Sequence, residues 1–324
     1  MNRLHVVLAA AATLAGIASA AAQEWPTRPV TLVSPFGAGG VVDVVGRIVA
    51  ARLTELLGKP VVVENTVGAG GMNGVSRVVK AVPDGYQIVL GTAATHAIGQ
   101  TLYKKPQYDA ATDLAPVGLL AAQPQSLVAR KDLPARNLPE FVAYARANQA
   151  KLQYGSSGVG SASHLGCLLF NLAIKIDTTH VPYRGGGNVM QDLVAGRLDY
   201  SCASPTTVLP LVESRTITAI AVLAKDRLSA LPALATAREQ GLPVEADNWF
   251  ALFAPKATPA AIIEKLNRAG VATLDTPSVR ARLEEIGAPA VAPERRSTEY
   301  LRSFVVSEIA KWAGPIKASG VSID

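Results

Sequence analysis

The chain has 324 residues, of which 49% are hydrophobic, 17% charged and 5% aromatic, with 27 glycines. This composition excludes a disordered or collagen-like chain, and the length predicts two domains or lobes. The formal net charge is +6, but Lys and Arg are scattered and few aromatic residues lie between them. The charge pattern therefore argues against a nucleic-acid-binding surface.

The first 22 residues have the pattern of a secretory signal peptide. Arg3 precedes an uncharged, Ala-rich run from Val6 to Ala22 that ends in small residues suited to cleavage. An uncleaved membrane anchor is the alternative. Because no cysteine precedes Cys167, a lipid anchor near the cleavage site is excluded. Cleavage after Ala22 predicts an exported and released chain.

The chain has two cysteines, Cys167 on a predicted helix and Cys202 in a predicted strand. Export to an oxidising compartment allows one disulfide between them, and two small buried thiols are the alternative. The sequence contains neither C-x-x-C nor a Cys/His metal spacing. Structural zinc and redox catalysis are therefore not expected, and no cofactor is predicted.

Short β-branched runs alternate with segments of helical period along the chain. Strands are predicted at 30–33, 61–64, 87–90, 127–129, 152–154, 179–181, 198–202, 217–223 and 249–254. Helices are predicted at 41–57, 72–82, 138–148, 161–174, 188–195, 260–274, 278–286 and 298–317. The alternation predicts an α/β fold with a parallel sheet and a second sheet in the second half. The proline-marked stretches 115–124 and 241–248 are predicted connections between lobes.

Glycine and small polar residues follow four predicted strands directly. The loops begin at Ser34, Asn65, Gly91 and Gly155. In an open α/β sheet the ligand crevice lies beyond the carboxyl ends of the strands, and small residues let backbone N–H groups approach an anion. Tight-turn glycines that serve packing alone are the alternative for any single loop. The predicted ligand contacts in these loops are Phe36, Ala38, Gly39, Gly40, Thr92, Ser156, Ser157, Gly158, Gly160 and Ser161.

Known nucleotide and catalytic motifs do not fit these loops. A G-x-G-x-x-G fingerprint fails at Val42, Asn73 and Ser163, and a P-loop fails because Ser161 stands where Lys is needed. The sequence also has no H-E-x-x-H motif and no G-x-S-x-G elbow. Dinucleotide binding, ATP binding and common hydrolase chemistry are therefore disfavoured.

Several side chains near the loops are further candidates for ligand contact. His96 and His164 each follow a small-residue loop and are candidate donors, with a capping or buried role as the alternative. Arg184 suits a bidentate pair with a carboxylate, with an exposed Arg held by a surface Asp as the alternative, and Tyr183 suits a pocket wall. Asp43 either complements the dipole of its helix or accepts a hydrogen bond from the ligand.

Five segments, in order along the chain, carry a resemblance more specific than any one loop. They read WPTRPVTLVSPFGAGGVVDVVGRIVA, VVVENTVGAGGMNGVSRVVKAVPDGYQIVLGT, YGSSGVGSASHL, THVPYRGGGNVMQDLVAGRLDY and NWFALFAPKATP. Together they resemble the Bug family, the extracytoplasmic substrate-binding proteins of tripartite tricarboxylate transporters.

The resemblance implies a type II periplasmic-binding-protein fold, α/β in class, with a ligand cleft between two lobes. It implies a first lobe of residues 23–122 and 247–324 and a second of residues 123–246. The loops 36–43 and 156–161 then hold a small carboxylate, partly through ordered waters. The protein is expected to be a periplasmic monomer, not an enzyme, that delivers its ligand to a permease of one large and one small subunit.

One departure from the family pattern bears on the ligand. Many relatives place an acidic or amide residue after the strand 198–202, where this chain has Ala203-Ser204-Pro205-Thr206. An amine on the ligand would lack a counter-charge there, so we expect a carboxylate without an amino group, with Thr206 as a further contact. A sensor subunit for a signalling kinase and an exported hydrolase using Ser157 and His164 are the alternative functions.

Overall fold

The computed structural model describes residues 25–183 and 185–324. The predicted signal peptide and Arg184 lie outside the described residues, as does the side chain of Thr206. Among the described residues, no helix is both long enough and apolar enough to cross a membrane.

The N-terminal third forms the parallel α/β arrangement that the sequence predicts. Its strands are β1 (Val30–Ser34), β2 (Val61–Asn65) and β3 (Gln87–Thr92), and β1 pairs in parallel with both others. Its helices are α1 (Val41–Leu57), α2 (Met72–Val79) and α3 (Gly99–Leu102). Helix α1 ends where Gly58 takes a left-handed φ of 69° and its N–H bonds to the Thr54 carbonyl, a conformation that suits glycine.

Two long strands connect the lobes. Strand β4 (Leu114–Arg130) has 17 residues, and β9 (Asp247–Pro255) pairs with it in antiparallel register as far as Pro124. From Gln125 onwards β4 pairs with strands of the second lobe instead. The predicted connection 115–124 and the predicted strand 127–129 are thus parts of one strand. The predicted parallel pairing is confirmed for β1, β2 and β3, whereas both crossing strands run antiparallel to their neighbours.

The second lobe alternates helices and strands along the chain. Its elements are α4 (Leu138–Asn148), β5 (Gln153–Ser156), α5 (Ala162–Ile174), β6 (Thr179–Pro182), α6 (Gly186–Val194), β7 (Tyr200–Ala203), α7 (Pro205–Glu213) and β8 (Ile217–Leu223). The chain then returns through β9 to the helices α8 (Ala260–Asp275), α9 (Pro277–Glu285) and α10 (Thr298–Ser319). Helix α7 was not predicted, since Pro205 and Pro210 hide its helical pattern.

The described strands form a sheet in the order β2-β1-β3-β9-β4-β7-β5-β6, with β8 paired to β4. One apolar core surrounds the N-terminal strands and β9, and includes Leu32 and Phe253. Separate cores cover the two faces of the second lobe, one around Phe141 and the other around Val189. Leu165 of α5 packs into the first core, so this helix joins the two lobes. The fold is the two-lobed α/β fold that the resemblance implied.

The two cysteines are joined within the second lobe. A disulfide joins Cys167 to Cys202 with a Cα–Cα distance of 5.3 Å, and both residues are fully buried. Of the two alternatives that the sequence left open, the structure has the disulfide, which ties α5 to β7.

Folding buries the carboxyl group of Asp247, at the start of the crossing strand β9, and this burial costs free energy. Its Oδ1 atom is buried and has no hydrogen-bond partner among the described residues. Burial raises its pKa to about 6; Glu245 and Glu308 add to this, whereas Lys311 and Arg295 oppose it. A carboxyl whose pKa is raised by folding loses stability as pH climbs from its unfolded pKa to its folded pKa.

We therefore expect Asp247→Asn to raise the free energy of unfolding by about 1–3 kcal/mol at pH 7. The extra stability of Asp247→Asn over the wild type shrinks as pH falls from 6 to 4, because the carboxyl group of Asp247 in the folded wild type is then protonated and neutral. Urea denaturation across this pH range measures it, with Asp226→Asn at an exposed position as the matched control. A lower free energy of unfolding for Asp247→Asn than for the wild type at pH 7 would contradict an unfavourable burial of the Asp247 carboxyl group.

Candidate ligand-binding site

A cleft of about 780 Å³ lies between the lobes and is lined by both. The lobe containing β1–β3 contributes Phe36, Gly39, Gly40, Val41, Val42, Gly70, Thr92, Ala94, Leu102, Tyr103 and Ile323. The other lobe contributes Ser157, Val159, Gly160, Ser161, Ala162, Ser163, Gly185, Gly186, Val189, Met190, Ser201, Ala203, Ser204 and Thr207. Gln123, Gln125 and Asn248 line it from the crossing strands. None of these described lining residues carries a formal charge.

Four helices from both lobes begin at the cleft. The residues that precede their first turns are Gly40 for α1, Ser161 for α5, Gly185 for α6 and Ser204 for α7, and all four line the cleft. The first N–H groups of a helix have no partner within it, and the helix dipole places partial positive charge there. The helix N-termini therefore make the cleft electropositive even though none of its described lining residues is charged, which suits a bound anion.

The glycine loop before α1 is held in place by Asp43. The Asp43 carboxylate accepts hydrogen bonds of 2.9 Å each from Gly39 N–H, Arg47 Nε and Asn65 Nδ2. The hydrogen bond from Arg47 is the main reason that the pKa of Asp43 falls to about 2. The Asp43 side chain is 4% exposed and does not line the cleft. The structure thus gives Asp43 a role that the sequence did not predict, support of the glycine loop through Gly39, and its predicted contact with the ligand stays a prediction.

Asp43→Asn is expected to lower the free energy of unfolding by about 2 kcal/mol at pH 7, because an amide turns one acceptor into a donor facing other donors. Folding lowers the pKa of this carboxyl, so its contribution is present above about pH 4 and is lost as pH falls towards 2. Chemical denaturation of both proteins at pH 7 and at pH 2.5 measures the effect. Equal stability at pH 7 would contradict the supporting role.

The loop before α5 is fixed by a network of serines. Ser163 Oγ accepts from Ser157 N–H at 3.0 Å and lies 2.9 Å from Ser157 Oγ, and Ser161 Oγ donates to the Gly158 carbonyl at 2.7 Å. Ser157, Gly160 and Ser161 line the cleft together with Ser163, so their predicted contacts with a ligand stay predictions. Ser156 is fully buried and Gly158 is absent from the lining, so both predicted contacts instead shape the loop.

The two histidines predicted to contact the ligand, His96 and His164, are buried and do not line the cleft. His96 is fully buried, stacks on Phe253 with 4.0 Å between ring centroids, and has a pKa lowered to about 3 by burial. His164 accepts the Gly160 N–H at its Nδ1 atom at 3.1 Å and stacks on His180 at 4.0 Å. Burial lowers the pKa of His164 to about 4. Neither histidine lines the cleft, so the alternative role of a buried support is the one that the structure favours.

Some of the remaining predicted ligand contacts line the cleft and others do not. Phe36, Gly39, Gly40 and Thr92 line the cleft, but Ala38 does not. Tyr183 Oη donates to Asp192 at 2.6 Å, which turns this side chain away from a ligand role. Gly185 and Thr207, the neighbours of Arg184 and Thr206, both line the cleft, which keeps those two contacts as predictions.

Sequence reasoning missed the polar residues of the crossing strands. Gln123 lies opposite Asn248 in the β4–β9 register, and Gln125 is two residues further along β4, so all three project from the same face. Gln123 donates to the Ile286 carbonyl at 3.3 Å. No glycine loop marks these positions. The only available signal was the unusual run of amides in an otherwise apolar stretch.

Two lobes joined by crossing strands, with helix N-termini around the cleft, define the class of periplasmic solute-binding proteins, and solved members of that class share this fold. The sequence profile of the tripartite tricarboxylate transporter family receptor matches residues 45–321, and the chain belongs to this family.

Three relatives illustrate the similarity. Protein BugT of Bordetella pertussis is 33% identical, with 100% of this chain and 99% of BugT covered. MatC from Rhodopseudomonas palustris, solved with bound malate, is 38% identical, with a TM-score of 0.78 and coverage of 90% of this chain and 100% of MatC. A second R. palustris protein, solved with adipate, is 37% identical, with a TM-score of 0.79 and coverage of 92% and 99%.

Proposed function

We propose that this protein is a periplasmic receptor that captures a small carboxylate in the cleft between its lobes. The observation that carries the proposal is the set of four helix N-termini converging on a cleft whose described lining has no charged side chain. Such a site stabilises a carboxylate through backbone N–H groups and neutral hydroxyls. Relatives solved with malate and with adipate support this ligand class.

The lining also supports a ligand without an amino group. A ligand ammonium needs an acidic partner when it leaves water, and no described lining residue is acidic. Ala203 and Ser204 occupy the wall where a counter-charge would be expected. We therefore propose a di- or tricarboxylate or an aromatic acid, and not an acidic amino acid.

Capture is proposed to proceed by lobe closure, with lobe boundaries near Ala122 and Asp247. A ligand that contacts both lobes stabilises the closed state by its higher affinity for that state. No bond is made or broken. We further propose that the protein delivers its ligand to a membrane permease of one large and one small subunit, which its family membership supports, and that a signal peptide at residues 1–22 directs the chain to the periplasm.

Contacts around Ser157 support binding over catalysis. Ser157 Oγ lies beside Ser163 Oγ, whereas His164 Nδ1 is occupied by the Gly160 N–H. The Ser157–His164 pair of the hydrolase alternative is therefore not assembled in this conformation. Ser156 Oγ does lie 2.6 Å from His180 Nε2, but Ser156 is fully buried and does not line the cleft.

Calorimetric titration tests the proposal on protein that has been unfolded and refolded to remove any carried ligand. Malate, succinate, adipate, citrate and benzoate form the test panel, and aspartate and glutamate form the control. We expect at least one acid of the panel to bind with one-to-one stoichiometry and both amino acids to fail. Tight aspartate binding would refute the exclusion of amines, and a flat panel would refute the carboxylate assignment.

A further inference from the structure

Two amides on the crossing strands lack partners in the protein. Among the described polar side chains that line the cleft, Tyr103, Gln125 and Asn248 make no hydrogen bond to other described residues. Tyr103 is partly exposed to solvent, but Gln125 is only 3% exposed and Asn248 only 8%. Neither amide is among the polar atoms that are buried without a partner, so the small exposed part of each side chain opens onto the cleft. Both amides are therefore available to a ligand that displaces water from the cleft.

The two amides face the same region of the cleft. Asn248 lies opposite Gln123 in the antiparallel register, so Gln125 is its diagonal neighbour on the same face. Diagonal neighbours have α-carbons about 7–8 Å apart, which lets two long side chains reach one group between them. Each amide offers N–H donors and a carbonyl acceptor. A ligand group between the two amides therefore pairs with both kinds of atom when it donates a hydrogen bond to one amide carbonyl and accepts one from the other amide N–H.

A carboxylate could accept from the N–H groups of both amides, but it would leave both amide carbonyls without a donor, because it only accepts hydrogen bonds. A hydroxyl pairs with both kinds of atom, since it donates to one amide carbonyl and accepts from the other amide N–H. The helix N-termini already provide donors for the carboxylates. The crossing strands therefore offer a separate subsite for an uncharged polar group on the ligand carbon chain.

We propose that Gln125 and Asn248 select hydroxylated carboxylates over otherwise identical acids without the hydroxyl. The inference rests on the proposed function and narrows its ligand class to hydroxy acids. A site built to pair with a hydroxyl discriminates strongly against the analogue that lacks it, because the buried amides are then left unpaired.

The test compares matched ligands that differ by a single hydroxyl: malate with succinate, and 2-hydroxyglutarate with glutarate. Calorimetric titration of stripped wild-type protein is expected to give at least tenfold tighter binding of the hydroxy acid in at least one pair. Gln125→Met and Asn248→Leu keep the side-chain bulk but remove the amide. In the double variant we expect the preference to fall below threefold, mainly through weaker binding of the hydroxy acid.

Gln191→Met, at an exposed position on α6 outside the cleft, is the matched control and should leave the preference unchanged. Thermal unfolding of the ligand-free variants gives a second readout. Because Gln125→Met removes an unpaired amide, its melting temperature should equal or exceed that of the wild type. A melting temperature that falls by several degrees would mean that the amide is paired within the protein and would overturn the inference.

The remaining outcomes separate the two proposals. Equal affinity for both members of each pair, or a preference that survives in the double variant, overturns the hydroxyl subsite while carboxylate binding stands. Failure of all four acids and of the wider panel to bind overturns the proposed function and the subsite with it.

Discussion

Gly160→Ala is expected to weaken malate binding by at least tenfold, or to abolish the binding of whichever acid of the panel binds best. Gly160 lines the cleft with a left-handed φ of 77°, a conformation that costs a non-glycine residue about 1–2 kcal/mol. A β-carbon at this position would lie 2.7 Å from Leu102 Cδ2, which belongs to the other lobe. The variant therefore strains the loop and also obstructs the contact between the lobes.

Two further variants separate these causes. Gly196→Ala has a nearly identical φ of 73° but no atom within 4 Å of the added carbon, so it should cost stability and leave affinity unchanged. Adding Leu102→Val to Gly160→Ala removes the obstructing carbon and should recover part of the affinity relative to Leu102→Val alone. Calorimetric titration of the set measures both effects. If Gly160→Ala bound the acid with unchanged affinity, the assignment of the interlobe cleft as the ligand-binding site would be contradicted.

Removing the disulfide is expected to produce the largest loss of stability. Cys167 and Cys202 are 35 residues apart in sequence, and a crosslink that closes a loop of this length stabilises a protein by about 3–4 kcal/mol in the chain-entropy account. The double variant Cys167→Ala/Cys202→Ala should lose this amount in urea denaturation under oxidising conditions.

Reducing agent provides the control for that experiment. Dithiothreitol should destabilise the wild type to a similar extent and leave the double variant unaffected, since no sulfur remains to be reduced. Because Cys202 lies on β7 beside the lining residues Ser201 and Ala203, we also expect weaker ligand binding in the double variant. Equal stability of wild type and variant under oxidising conditions would contradict a disulfide in the native protein.

The glycine loops could be predicted because their signal is local. The predicted helix 41–57 matches α1, and Gly39, Gly40, Gly160 and Ser161 line the cleft. A strand followed by glycines and then a helix needs only the period of the apolar residues and the special φ values of glycine. The sequence predicted the site wherever one short segment determines its own backbone conformation and also contributes the residues that line the cleft.

The crossing strands could not be predicted because their signals conflict. Pro116 and Pro124 suggest a loop, yet both lie within β4. Pro116 borders a shift in the β4–β9 register, and Pro124 lies where β4 changes partners, two places where a missing N–H is tolerated. The amides of Gln125 and Asn248 therefore came to the cleft through long-range pairing, which no local pattern records.

His96 and Tyr183 illustrate a second limit of the sequence. Both follow a predicted strand, where ligand contacts are expected, but His96 turns inward onto Phe253 and Tyr183 donates to Asp192. The direction of a side chain at such a position depends on which neighbour packs against it. Sequence spacing places a residue near a site, and only packing decides whether it faces the ligand.

The most direct test of carboxylate capture between the lobes is a crystal structure of the stripped protein with the acid that binds most tightly in calorimetry. We predict density for the acid in the interlobe cleft, with a carboxylate at the start of α1 or α5 and contacts from both lobes. An acid bound outside the cleft, or held by one lobe alone at full occupancy, would contradict the account.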